Sequence, residues 1–147
     1  MREITSVDNR ICKLIRELDR KKYRDKYARF IIEGDNLIEE AVKNRADIET
    51  VLIRQGYEGK LYGMEDITFV LPEKLFSKLC QTETSQGIIA VVKKKEISRA
   101  DILRDKASGN FVVLDRLQDP GNIGTILRTA DAAGYRLAIV MKGTADI

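Results

Sequence analysis

The chain has 147 residues, 44% hydrophobic and 33% charged, with 26 Lys and Arg against 23 Asp and Glu for a net charge of +3. That balance excludes a disordered chain. No apolar run approaches the roughly 18 residues of a membrane span, and the N-terminus MREITSVDNR lacks a signal-peptide core.

Residues 6–22 read as one amphipathic helix, with Val7, Ile11, Leu14, Ile15 and Leu18 at helical spacing and a capping box at Thr5 and Asp8. Its opposite face carries Arg10, Lys13, Arg20 and Lys21. Arg29-Phe30-Ile31-Ile32-Glu33-Gly34 predicts a short strand ending at a glycine turn. A helix follows over residues 35–44, with Leu37, Ile38, Ala41 and Val42 on its buried side. Strands are expected at Thr50-Val51-Leu52-Ile53, closed by the turn from Gly56 to Gly59, and at Ile67-Thr68-Phe69-Val70-Leu71. Pro72 then opens a helix over residues 73–80 at its favoured first position. Gly87-Ile88-Ile89-Ala90-Val91-Val92 is an apolar run of strand length. The order α-β-α-β-β-α-β fits a compact α/β sandwich over residues 1–92.

The character changes at Lys93-Lys94-Lys95-Glu96. Residues 93–108 read as a linker containing a short polar helix, with Ser98 as its cap. In residues 109–147, Phe111-Val112-Val113-Leu114-Asp115 predicts a strand. A loop and a helix over residues 122–133 follow, stopped by Gly134, and then the strand Leu137-Ala138-Ile139-Val140. This is one β-α-β unit, the usual opening of a parallel sheet, and alone it cannot cover both faces of its sheet.

Histidine is absent, which excludes a Cys/His zinc site and any His-dependent nucleophile; no metal site is expected. Chemistry must use carboxylates, Lys, Arg, Tyr, Asn or a cofactor. Cys12 and Cys80 read as thiols of a reducing cytoplasm. The charge is uneven. Residues 1–30 hold ten basic groups against five acidic ones, so this segment carries +5 and the rest −2. Such a cluster, with Arg10, Lys13, Arg20, Lys21, Lys22, Arg24 and Arg29, is the footprint of a phosphate-backbone binder. A solvated helix face with interleaved acids is the alternative.

The richest segment is LDRLQDPGNIGTILRTADAAG, residues 114–134. It joins a strand, a glycine-bearing loop and a helix start, where backbone can approach a ligand and anions are favoured. Asn122 stands at the helix entrance, as a donor and acceptor or simply as an N-cap. Arg128 lies off the apolar stripe of Ile123, Ile126, Leu127 and Ala130, free to reach over the loop or to pair with Asp131 or Asp119. The G-x-G-x-x-G spacing of a dinucleotide fingerprint is missing. Gly121-Asn122-Ile123-Gly124 matches a G-x-x-G clamp only weakly, because the loop lacks basic residues.

This segment, with its Asn-x-Gly-x-x-x-Arg-x-Ala core at Asn122, Gly124, Arg128 and Ala130, resembles the first signature motif of the SpoU/TrmH family of SPOUT RNA methyltransferases. Arg29-Phe30-Ile31-Ile32-Glu33-Gly34 and Thr84-Ser85-Gln86-Gly87-Ile88-Ile89-Ala90 are similar to two motifs of that family's substrate-binding domain. The resemblance implies a ribosomal-protein-like α/β domain that grips RNA, followed by the start of a knotted (trefoil) α/β domain. The family uses S-adenosylmethionine to methylate a ribose 2′-hydroxyl in ribosomal or transfer RNA. The resemblance makes Asn122 and Arg128 the catalytic residues, Arg128 engaging RNA phosphate. A guanidinium keeps its proton to a pKa beyond about 12, so holding phosphate and stabilising charge is the easier role for it than acting as a base. The family's second and third motifs, which supply the cofactor pocket, the knot and most of a homodimer interface, are expected beyond Ile147. The 147 residues therefore read as the front portion of a cytoplasmic methyltransferase, expected to bind RNA but not to transfer methyl groups alone. A non-catalytic RNA-binding adaptor, with residues 93–147 as a tail, is the alternative.

Overall fold

The computed structural model describes residues 1–82, 84–95 and 109–145. The polar helix expected after Ser98 lies outside them. Two compact units divide the chain, Met1–Glu96 and Ile97–Ile147.

In the first unit the elements run β1 (Arg2–Glu3), α1 (Arg10–Leu18), α2 (Lys21–Tyr27), β2 (Arg29–Glu33), α3 (Asp35–Lys43), β3 (Ile48–Arg54), a 3-10 turn (Glu65–Ile67), β4 (Thr68–Leu71), α4 (Glu73–Phe76) and β5 (Ile88–Lys93). The five strands form one sheet in the order β1-β4-β3-β5-β2. Strands β1, β4 and β3 are mutually parallel, and β5 runs antiparallel between β3 and β2. Helices cover both faces, which is why the central strands read as unbroken apolar runs. Leu52, Ile89 and Val91 point into a core with Cys12, Ile15, Leu18 and Phe76. Their neighbours Val51, Ile53, Ile88 and Ala90 face the opposite way, onto Ile38 of α3. Each fully buried Leu or Ile contributes about 1.5–3 kcal/mol. Thr68 is the buried polar residue of this core, and its hydroxyl donates to the Met64 carbonyl at 2.7 Å.

Several local expectations are corrected. The single helix over residues 6–22 is two helices broken at Asp19 and Arg20. The cap is not the Thr5/Asp8 box but Asn9, whose side chain accepts from the Ile11 N–H at 2.9 Å. Asn caps a helix at least as well as Thr. The break is sealed by Arg24, whose guanidinium donates to the Leu18 and Asp19 carbonyls at 2.9 and 2.8 Å, satisfying acceptors that the helix end leaves open. Leu37, expected inside, is 56% exposed, because Ile38 alone on that turn points into the core. Pro72 is the N-cap rather than the first helical residue, with ψ 146°, and the regular helix ends at Phe76. The two-residue strand β1 is too short for any alternation to show.

The second unit holds β6 (Phe111–Leu114), α5 (Pro120–Ala132) and β7 (Leu137–Val140). The two strands pair in parallel, Phe111 opposite Leu137 and Leu114 opposite Val140. Leu114 and Ile123 are its buried apolar residues among those described. The helix begins two residues earlier than Asn122. Asp119 is the cap, accepting from the Gly121 and Asn122 N–H groups at 2.7 and 3.3 Å, and Pro120 takes the first position.

Candidate functional site

The basic cluster maps onto α1, α2 and the start of β2, and much of it is already engaged. Lys13 pairs with Asp8 at 3.5 Å and Lys21 with Asp25 at 3.0 Å. Arg29 grips Glu49 with two donors and also donates to the Tyr27 carbonyl. The carboxylate beside it holds the Arg29 proton even more firmly than usual. Arg24 is used to cap α1. Lys22 and Lys26 lie over the Tyr23 and Tyr27 rings at 5.9 and 5.2 Å, and those rings stack 5.8 Å apart. Among the described residues, Arg10 and Arg20 have no carboxylate partner. The seven expected RNA-contacting residues thus divide. Arg10, Arg20 and Lys22 are uncommitted to acids, whereas Lys13, Lys21 and Arg29 must trade a partner to meet phosphate. Exposed pairs of this kind are worth only about 0–1 kcal/mol, so the exchange costs little for Lys13 and Lys21.

Sequence reasoning missed how the two N-terminal motifs meet. Glu33 ends β2. Its carboxylate accepts from the Gln81 N–H at 2.9 Å and the Thr82 hydroxyl at 2.6 Å. Burial acts to raise this carboxyl, but the hydrogen bonds from Thr82, Ser85 and the backbone outweigh it and hold it below its ordinary value. Next to it Gly34 has φ +96°, and a Cβ there would sit 2.5 Å from the Gln86 side-chain oxygen. That oxygen accepts from the Asp35 N–H at 2.7 Å. Asp35 in turn accepts from the Tyr57 hydroxyl, whose burial and carboxylate partner raise its pKa strongly. The motifs at residues 29–34 and 84–90 are therefore two halves of one hydrogen-bonded seam. The signal was present in their glycines and in Gln86, but no spacing rule links residues fifty positions apart.

In the second unit the loop after β6 is stapled to the turn after β7. Gln118 donates to the Gly143 carbonyl at 2.6 Å, Ala145 N–H to Leu117 at 2.7 Å, and the Thr144 hydroxyl to Leu114 at 3.1 Å. Asn122 and Arg128 are both exposed on α5. They lie about 9 Å apart along the helix axis, and no hydrogen bond joins them among the described residues. Arg128 pairs with neither Asp131 nor Asp119. Its guanidinium lies back toward the helix start, as helical side chains do, and donates to the Thr125 hydroxyl at 3.3 Å. The Thr125 hydroxyl donates to the Gly121 carbonyl at 2.9 Å. A Cβ on Gly124 would come within 3.2 Å of the Arg128 guanidinium. The Gly-x-x-x-Arg spacing thus has a physical reason, since the missing side chain leaves the lane in which the arginine lies. The result is an exposed, positively charged fork above a helix N-terminus, an arrangement suited to holding phosphate.

Residues 9–90 match the family model of the MRM3-like substrate-binding domain. The chain is 36% identical to the 23S rRNA (guanosine(2553)-2'-O)-methyltransferase RlmP of Bacillus subtilis, over 99% of this chain and 57% of that protein. It is 30% identical to rRNA methyltransferase 3A, mitochondrial, of Danio rerio, over 95% of this chain and 34% of that one. An rRNA methyltransferase crystal structure from Sinorhizobium meliloti superposes with a TM-score of 0.79 at 33% identity, covering 99% of this chain and 56% of that one. The chain therefore spans between a third and rather more than half of the length of these relatives. With an MRM3-like substrate-binding domain in its first unit and the SpoU-type strand, loop and helix in its second, the chain belongs to the SpoU/TrmH family of RNA methyltransferases.

Proposed function

We propose that the protein serves S-adenosylmethionine-dependent methylation of a ribose 2′-hydroxyl in ribosomal RNA. The observation that carries this reading is Arg128, laid over Gly124 and tied to Thr125 at the entrance of α5. Relatives matched along nearly the whole chain are named as rRNA methyltransferases, and one solved relative is described as AdoMet-bound. In this reading the first unit grips folded RNA through Arg10, Lys13, Arg20, Lys21, Lys22, Arg24 and Arg29. Arg128 holds a phosphate of the target nucleotide and stabilises charge growing on the attacking oxygen, and Asn122 orients the same group. Transfer RNA is the other substrate compatible with the family. A cytoplasmic homodimer is the proposed working form.

The methyl donor supplies an activated methyl group to the ribose oxygen. The cavity beside α5, lined by Val112, Leu127, Ala130 and Tyr135, holds about 190 Å³, below the roughly 300–1,000 Å³ of ordinary small-molecule sites.

The reading is tested by mapping 2′-O-methyl groups across the ribosomal and transfer RNA of cells with and without the gene. Loss of one ribose methyl in ribosomal RNA, not restored by an Arg128→Ala copy, is the expected outcome. Unchanged maps would overturn the methyltransferase reading, and a methyl lost from transfer RNA alone would move the substrate.

A further inference from the structure

The basic segment borders a groove of about 590 Å³ that runs along α1 at the starts of β2 and β3. Its apolar lining is Ile11, Leu14 and Tyr27, half-buried side chains that form the outer layer of the core around Cys12, Ile15 and Leu18. The acids in its walls are already answered. Asp8 pairs with Lys13 at 3.5 Å, Glu49 with Arg29 at 2.9 Å, and Glu17 accepts from the Tyr27 hydroxyl at 2.9 Å. Arg10 also lines the groove and has no carboxylate partner among the described residues. Tyr27 is held from two sides, by Glu17 and by the Tyr23 ring stacked 5.8 Å away. Its ring is therefore ordered before anything binds, which lowers the cost of binding against it.

We infer that this groove seats one unstacked base of single-stranded RNA against Ile11, Leu14 and Tyr27, with a flanking phosphate on Arg10 and little preference among the four bases. The inference rests on the reading that the first unit binds RNA. The groove's own ion pairs cancel, so a bare phosphate gains little inside it, whereas an uncharged flat ring gains apolar and aromatic contact. One anion attached to that ring meets the guanidinium that no acid has claimed. An apolar side chain of a protein would fill the same space, but the surround favours nucleic acid. Residues 1–30 carry +5, and Arg20 and Lys22, at the start of α2, also lack acid partners among the described residues. A strand with one base in the groove brings further phosphates to those cations. Base selection is not expected, because every base has a π-face and the carboxylates and tyrosine hydroxyl of the lining already have partners. A duplex keeps its bases stacked inside and offers none to the groove.

The test adds short oligoadenylate, oligouridylate and the duplex they form to the isotope-labelled 147-residue chain at low salt. It follows the Ile11 and Leu14 methyl and Tyr27 ring resonances. Both single strands are expected to move all three, and the duplex to leave them in place. By fluorescence anisotropy, Tyr27→Ala should weaken both single strands roughly 5- to 150-fold, the range of one base–aromatic stack, and Tyr27→Phe, which keeps the ring, should recover most of the loss. Arg10→Gln should lower the slope of log affinity against log salt by about 0.7, one single-strand phosphate contact. An unchanged slope would overturn the placement of the phosphate. The resonances of the unaltered chain keep the test valid if Tyr27→Ala does not fold. Single strands and duplex moving them alike, or RNA binding that moves none of them, would overturn the inference and keep the RNA reading. A response to one homopolymer alone would overturn it by showing base selection, and a loss as large in Tyr27→Phe as in Tyr27→Ala would assign the effect to the hydroxyl instead of stacking. Shifts with a leucine- and glutamate-containing peptide but not with RNA would make the groove a protein site. No RNA binding at low salt removes both readings.

Discussion

The two units solve burial in opposite ways. In the first, β3 and β5 are covered on both faces, and Val51, Leu52, Ile88, Ile89 and Ala90 are all fully buried. Among the described residues of the second, one helix covers one face of a two-stranded sheet. Phe111, Val113 and Ile139 on the other face are 60%, 51% and 38% exposed. Alternation along β6 makes the point residue by residue, Leu114 buried and Val113 open. Strands β6 and β7 are at least as apolar as the buried β5, so apolar sequence alone does not say whether a strand is buried. What differs is the number of layers packed against it. The residues proposed to serve methyl transfer, Asn122 and Arg128, stand on the thinly covered unit, whereas the cations proposed to grip RNA stand on the doubly covered one.

Separating the units should give the largest difference between them. Met1–Glu96 should unfold in one cooperative transition by circular dichroism, and Ile97–Ile147 should show none, because a two-stranded sheet is marginal without further layers. In the intact chain, amide exchange should be slowest in β3 and β5 and fast in β6 and β7. A cooperative melt from Ile97–Ile147 would show that this unit needs no further layers. On a smaller scale, Leu52→Ala should cost about 2–5 kcal/mol in denaturant unfolding of the first unit. Val113→Ala, on the open face, should change stability by less than about 0.5 kcal/mol. Equal costs would mean that the open face is covered in solution.

Much of this was legible in the residues. Consecutive apolar runs at residues 50–53 and 87–92 marked the central strands, and the Asn-x-Gly-x-x-x-Arg spacing marked the helix that carries Arg128. What could not be read came from distance and from competition. The seam joining Glu33 to Thr82 and Gly34 to Gln86 depends on β2 and β5 being antiparallel neighbours, which no local pattern encodes. Likewise Asn9 and Asp119 won the capping positions from Thr5 and Asn122, since each stands where the backbone turns and several good caps compete nearby. The uneven worth of the basic cluster was also hidden. Charge counts treat Arg10 and Arg29 alike, yet only Arg29 has Glu49 across from it.

Acid should distinguish the two units more weakly. Glu33 is held below the ordinary carboxylate value by hydrogen bonds that exist only in the folded first unit. In the unfolded chain it titrates near about 4.3. Above that pH both states are ionised and the hydrogen-bonded carboxylate contributes its full stabilisation. As pH falls below it, the unfolded chain takes up the proton first, and the contribution drains away until the folded carboxyl is itself protonated. Stability of the first unit should therefore decline as pH falls below about 4.3, and Glu33→Gln should flatten that part of the profile while lowering stability at neutral pH. Gln can accept one of the two bonds from Gln81 and Thr82 but carries no charge to strengthen them. Exchange rates of β6 and β7 amides, corrected for intrinsic pH dependence, should respond to acid identically in both proteins, because the seam is built from residues of the first unit. A Glu33→Gln profile as steep as the parent's would assign the acid sensitivity to another carboxylate. Asp25, held low by its hydrogen bonds to Lys21 and Lys94, is the next to replace.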